Sequence, residues 1–247
     1  MITTPGAAPA PSLDGVSAVV TGASRGIGEA IARALAGAGA SVALVARGRA
    51  ALERLAGELG PRAHVVPCDV RDETAVQGAV AAIGAALGEA PRVLVNNAGL
   101  FDVAPLAEQS PSDFAATVDA NLVAPFRFIH AFLPAMLAAG RGHIVTVGSI
   151  ADRHPFPGNG AYAASKFGAR AMHEVLRAES RGTGVRATLV SPAATDTAIW
   201  DAVRGDRRAG LPTRDQMLRP EDVARAVLFA VAQPPHVTVD ELRISRS

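Results

Sequence analysis

Apolar and polar positions along the 247 residues fall into two kinds of segment. Short, nearly unbroken apolar runs recur at residues 17–21, 41–46, 64–68, 93–96, 142–147, 186–190 and 237–244. Runs of that length, rich in valine and bounded by glycine, proline or polar residues, predict buried strands. Between them, apolar residues return every three or four positions, which predicts helices over residues 25–36, 50–59, 73–87, 112–139, from Tyr162 to about 181, and 221–232. Strands that are apolar throughout, rather than alternating, are covered on both faces. Strand and helix alternating along the chain imply right-handed crossovers and an open, parallel, doubly wound α/β sheet of the Rossmann type. The expected strand order is 3-2-1-4-5-6-7, with a ligand crevice at the carboxyl ends of the strands. Residues 193–217 form an irregular stretch too long for a simple connection, and are expected to act as a lid.

Composition narrows this picture. With 49% hydrophobic and 19% charged residues, the chain suits one globular domain with a full core, expected over residues 13–247. Residues 1–12 are rich in Thr, Pro, Ala and Gly, have neither a basic start nor an apolar run, and read as a disordered leader rather than a secretory signal. A formal net charge of +1 gives no electrostatic case for nucleic acid or an acidic membrane as partner. No uninterrupted apolar run has the length of a membrane span. The single cysteine, Cys68, excludes an intrachain disulfide and fits the reducing cytoplasm. No metal-ligating set stands out.

Candidate chemistry begins with Tyr162 and Lys166. They are the only tyrosine and the only lysine; the other 23 basic side chains are arginine. Four residues apart, they share one helix face. A phenol titrates near 10 and is a poor base at neutral pH, and a neighbouring ammonium is expected to lower that value. Ser149 lies thirteen residues earlier, at a strand end. A second feature is Thr21-Gly22-Ala23-Ser24-Arg25-Gly26-Ile27-Gly28, between the first strand and first helix. Glycines there permit a tight turn and close approach of backbone to a pyrophosphate, which the helix N-terminus attracts.

The spacing G-x-x-x-G-x-G, with Asn96-Asn97-Ala98-Gly99, Ser149 and Tyr162-Ala-Ala-Ser-Lys166, resembles the short-chain dehydrogenase/reductase family. The resemblance spans about residues 13–244. It implies an oxidoreductase that moves a hydride between a dinucleotide and a carbonyl or secondary alcohol. Tyr162 is then the acid/base, Lys166 lowers its pKa and binds the nicotinamide ribose, and Ser149 positions the substrate oxygen. Asn121, in the long helix, would hold a water linking Lys166 to solvent. Cofactor contacts carried over are Gly22, Ser24, Arg25, Gly26, Ile27, Gly28, Asp69 and Val70 at the adenine, and Asn97, Ala98 and Gly99. Pro192, Ala194, Thr195 and Thr197 would surround the nicotinamide. Ala193 replaces a glycine of the family pattern there, and Gly148 stands where relatives often carry a second serine.

Cofactor choice rests on the end of the second strand. A carboxylate there would accept from the ribose 2′-hydroxyl of NAD, whereas arginine suits a 2′-phosphate. The chain reads Val45-Ala46-Arg47-Gly48-Arg49, so NADP(H) is favoured over NAD(H), with Arg47 and Arg25 on the phosphate. Substrate-facing candidates are Phe101, Asp102, Ile150, His154, Phe156 and Trp200. Arg204, Arg207, Arg208 and Arg214 in the lid either hold an acidic substrate group or are a solvated charge run. Apolar helix faces predict a homodimer or homotetramer, or simply cover the sheet. The alternative to an enzyme is a non-enzymatic NADP-binding regulator on the same fold, which would need the glycine loop but not Ser149, Tyr162 and Lys166 together.

Overall fold

In the computed structural model, residues 12–88, 90–203 and 210–247 are described. The leader expected over residues 1–12 lies, apart from Ser12, outside the described residues. Seven parallel strands form one sheet: β1 (Ser17–Thr21), β2 (Ser41–Ala46), β3 (Ala63–Pro67), β4 (Val93–Asn96), β5 (Gly142–Val147), β6 (Val185–Pro192) and β7 (Glu241–Ile244). Their order is β3-β2-β1-β4-β5-β6-β7, the order the pattern predicts. Because β1 pairs with β2 on one side and β4 on the other, crossovers leave in opposite directions at this point and open a crevice at the strands' carboxyl ends.

Successive side chains of a strand point to opposite faces. Val20 therefore joins a core with Ile31, Leu35, Leu52, Leu55, Val223 and Val227, from helices α1 (Gly26–Gly37), α2 (Arg49–Leu59) and α7 (Pro220–Val231). Val19 joins the opposite core with Val76, Ile83, Phe128, Phe132, Met136 and Leu176, from α3 (Glu73–Leu87), α5 (Ala124–Ala138) and α6 (Gly160–Glu179). Two covered faces explain why the strand pattern is apolar without alternation.

The helix expected over residues 112–139 is α4 (Pro111–Val118) and α5 joined by a π turn, Asp119–Val123. Pro125 has no N–H to give the Asn121 carbonyl four residues back. The amide of Ala124 instead reaches the carbonyl of Asp119, and the helix widens at Asn121. The joined span 111–138 is long and apolar enough to cross a bilayer by length and composition, although no unbroken apolar run in it is. In the fold its residues Phe128, Ile129, Phe132 and Met136 lie in the core. The last strand is shorter than expected. Side chains on β6 take the carbonyls before it: Arg186 donates to Val237 and Thr188 to Val239.

Two histidines are buried in the sheet region. His143 Nε2 lies 2.8 Å from Thr188 Oγ1. That hydroxyl already gives its proton to Val239, so His143 Nε2 is the donor. His173 Nδ1 lies 2.9 Å from Thr146 Oγ1. Burial pushes His143 down to about 3 and His173 down to about 4. The unfolded imidazole titrates near 6.5, so on acidification the unfolded chain takes up protons first. Stability is then full above about pH 6.5 and falls below it until the folded-state values are reached. Urea unfolding should show a loss of about 2 kcal/mol per histidine between about pH 7 and about pH 5, and His143→Asn should remove one share of that slope. An unchanged slope in that variant would contradict neutral burial of His143.

Candidate active site

A cavity of about 1070 Å³ opens at the carboxyl ends of β1, β4, β5 and β6. At one end the β1–α1 loop forms its wall through Gly22, Ser24, Arg25, Gly26, Ile27 and Gly28. Gly22 has φ +70°, and a Cβ on Gly28 would lie 2.2 Å from the Gly22 carbonyl oxygen. The loop closes this tightly only with glycine at both places. Asn97 locks it to β4: its Nδ2 donates to the Thr21 carbonyl at 2.9 Å, and the amides of Asn97 and Ala98 donate to Thr21 Oγ1. No side chain caps the N-terminus of α1, whose first-turn amides are thus free for an anion.

Arg47, Asp69 and Val70 line the adjoining wall, with Arg71 beside them. Asp69 accepts from the Arg71 guanidinium at 2.8 and 3.1 Å. This pairing, opposed by burial, holds the Asp69 carboxyl down to about 2. Arg25 and Arg47 are exposed and make no ion pair among the described residues. These cations, beside the uncapped start of α1, fit the phosphates of a dinucleotide. The Gly99 and Ala98 backbone continues the wall inward.

At the far end, α6 presents Tyr162 and Lys166 on one face, with Ser149 at the end of β5. Lys166 is buried, and its Nζ donates to the Val147 carbonyl at 2.9 Å and lies 5.6 Å from the centre of the Tyr162 ring. Phe101 packs edge-on against Tyr162, with ring centres 4.8 Å apart. Burial pushes the phenol up to about 12; the Ser149 hydroxyl opposes this and Asp152 adds to it. Burial brings the Lys166 ammonium down to about 8, Asp152 opposing. The expectation that Lys166 leaves the phenol below its ordinary value is therefore corrected for the protein's own groups. Desolvation is the largest cause of both shifts.

Asn121 lies away from the cavity wall. Its Oδ1 accepts from the Leu100 amide at 2.7 Å, and its Nδ2 donates to the Leu100 carbonyl and to Ser165 Oγ. Both amide hydrogens are engaged, so the side chain serves as a staple between the β4 loop and α6, while Pro125 leaves the Asn121 backbone carbonyl without its helical amide. Stapling Leu100 also sets Phe101 against Tyr162.

Pro192, Ala194, Thr195 and Thr197 line the cavity after β6, and Ile150, Phe156 and Trp200 complete an apolar wall. Trp200 is largely buried among Val103, Val203 and Met217, with Nε1 donating to the Thr195 carbonyl. His154 is exposed and stands outside the wall. Asp102 is also off the wall, its carboxylate accepting from the Val103 amide. In the lid, Arg214 is held by Asp196, Asp201 and the Thr197 carbonyl, and is not free for a substrate acid. Arg204, Arg207 and Arg208 lie outside the described residues. Two residues missed by sequence reasoning stand out, Arg71 and Asp152. Arg71 sits two after Asp69, an adjacency that signals local pairing. Nothing in the sequence marks Asp152 as buried.

The family model for short chain dehydrogenase matches residues 17–208. A glycine betaine reductase of Emericella nidulans is 41% identical over 94% of this chain, which spans only 19% of that longer protein. A D-threitol dehydrogenase of Mycolicibacterium smegmatis is 40% identical over 88% of this chain and 86% of its own. Among solved structures, an alcohol dehydrogenase from Thermococcus sibiricus complexed with 5-hydroxy-NADP has a TM-score of 0.82 at 34% identity, covering 93% of this chain and 95% of that one. A 3-ketoacyl-(acyl-carrier-protein) reductase from Brucella melitensis complexed with NADH has a TM-score of 0.86 at 29% identity, covering 95% and 98%.

Removing the staple should be measurable. Asn121→Ala leaves the Leu100 amide and carbonyl without their partner, and should lower the free energy of urea unfolding by about 2 kcal/mol. A loss under about 0.5 kcal/mol would show that those bonds contribute little.

Proposed function

The chain belongs to the short chain dehydrogenase family and is an oxidoreductase of carbonyl and alcohol groups; we propose that it works with NADP(H) and uses Tyr162 as its acid/base. One observation carries this reading: Ser149, Tyr162 and Lys166 meet at one end of a cavity whose other end holds Arg25 and Arg47 and no unanswered acid. When bound, the dinucleotide supplies or accepts the hydride. Arg25, Arg47 and the uncapped start of α1 would hold its phosphates, and Thr195 and Thr197 its carboxamide. A neighbour solved with 5-hydroxy-NADP supports the choice of NADP, while another solved with NADH makes a direct comparison necessary.

In reduction, the Ser149 hydroxyl fixes the substrate oxygen and Tyr162 gives that oxygen its proton as the carbon is reduced. In oxidation the same phenol takes the proton back. Lys166, brought down to about 8, sits near neutrality and is placed to help return a proton to the phenol. A non-enzymatic regulator would leave Ser149, Tyr162 and Lys166 together without a task. The apolar wall of Phe101, Ile150, Phe156 and Trp200 favours a neutral carbonyl substrate. Phe126 on α5, with Phe167 and Val175 on α6, is exposed, and a second copy of the chain is the proposed cover for these faces.

Two measurements test the reading. Tyr162→Phe should lower turnover by about 10²–10⁴-fold while leaving NADPH affinity intact; retained turnover would take the acid/base role from Tyr162. NADPH should exceed NADH in kcat/KM, and Arg47→Asp should shrink that preference about tenfold or more. A wild-type protein that favours NADH would overturn the assignment of Arg47.

A further inference from the structure

Asp152 is wholly buried, in the short turn Ile150–Asp152 that follows β5. Its amide donates to the Ser149 carbonyl at 2.9 Å, and Ser149 Oγ accepts from the Ala151 amide at 3.1 Å. The acid and the serine thus belong to one rigid turn. Asp152 Oδ2 accepts from Ser191 Oγ, at the end of β6, at 2.6 Å. Oδ1 has no hydrogen-bond partner and faces Arg153 Nε at 3.5 Å. Arg153 in turn pairs with Glu241 on β7.

Gly148 is what makes room for this carboxylate. A Cβ there would lie 2.9 Å from Asp152 Oδ2 and 3.0 Å from Ser191 Oγ. A side chain at position 148 and a carboxylate at position 152 compete for one space, which accounts for glycine where the family pattern often has serine. Burying a carboxylate is costly even when it is hydrogen-bonded, and this one has an unsatisfied oxygen. Its location beside the catalytic turn supplies the reason.

We propose that Asp152 is a positioning residue whose carboxylate, built into the Ser149 turn, keeps protons on the Tyr162–Lys166 pair and so sets the pH at which the site changes from giving a proton to taking one. The charge acts on both members in the same sense, favouring the protonated phenol and the protonated amine. Other groups facing this cluster are Arg153 on the same turn, Arg170 and Glu174 on α6, Ser191 on β6, and Glu241 and Arg243 on β7. Of these, Arg153 is the cation in contact with the carboxylate, and it is shared with Glu241. The inference rests on the reading of Tyr162 as acid/base.

The test uses the NADP-saturated protein and two readouts, the pH profile of kcat/KM for alcohol oxidation and the near-ultraviolet absorbance of phenolate. Only Tyr162 can produce the second signal, since the chain has one tyrosine. Asp152→Asn keeps the shape of the side chain and its acceptor for Ser191, and should move both midpoints down by about one pH unit. Arg153→Gln removes the cation facing the same carboxylate and should move them up. A folded Asp152→Asn protein with unmoved or raised midpoints overturns the inference. Should that variant fail to fold, unmoved midpoints in Arg153→Gln overturn it instead. The phenolate signal needs no turnover, so failure here is distinct from failure of the proposed reaction, which would appear as retained turnover in Tyr162→Phe.

Discussion

Placing a phenol and an ammonium together at the end of a parallel sheet, the ammonium buried and the phenol packed against Phe101, creates the electrostatic problem around which this site is built. Each group is driven toward its neutral form when water is removed. The phenol then stays protonated, up to about 12, while the amine loosens its proton, down to about 8. The Val147 carbonyl fixes the lysine, Phe101 fixes the ring, and the Asn121 staple fixes Phe101. Tyr162 and Lys166 are therefore held by backbone and packing rather than by an ion pair.

Charge type follows position throughout. Arginine, which stays charged in any protein setting, occupies the open Arg25–Arg47 end of the cavity and the surface ion pairs among the described residues. Lysine, whose pKa moves readily on burial, occurs once, at the one place where a movable proton is useful. Buried acid occurs beside it, in Asp152, whose charge opposes the loosening of Lys166. The two buried histidines, His143 on β5 and His173 on α6, are neutral spacers bonded to threonines, and serve packing rather than proton transfer.

Strand order, both covered faces and the convergence of the glycine loop, Ser149, Tyr162 and Lys166 on one crevice were legible from sequence, because unbroken apolar strands and ordered motifs survive without knowledge of packing. Tertiary detail was less so. The π turn at Asn121 needed the missing N–H of Pro125 to be set against the helix ladder, and the short β7 needed Arg186 and Thr188 to be seen taking carbonyls. His154 was read as a pocket residue from proximity to Ser149, but it is exposed and stands outside the wall. The direction of the phenol shift was misjudged for a physical reason: spacing reveals a neighbouring charge, whereas desolvation depends on everything packed around the pair. Asp152 escaped notice for the same reason, since an acid three residues after a serine looks like any surface turn until its burial is known.

The central claim is that burial, rather than the lysine's charge, governs the proton on Tyr162 in the protein itself. Spectroscopic titration of the single tyrosine tests it most directly. In the protein without dinucleotide, the phenolate midpoint should lie above the value near 10 of a free phenol, and saturation with NADP⁺, which adds a cationic ring, should lower it. A midpoint at or below that of a free phenol in the protein alone would contradict the account.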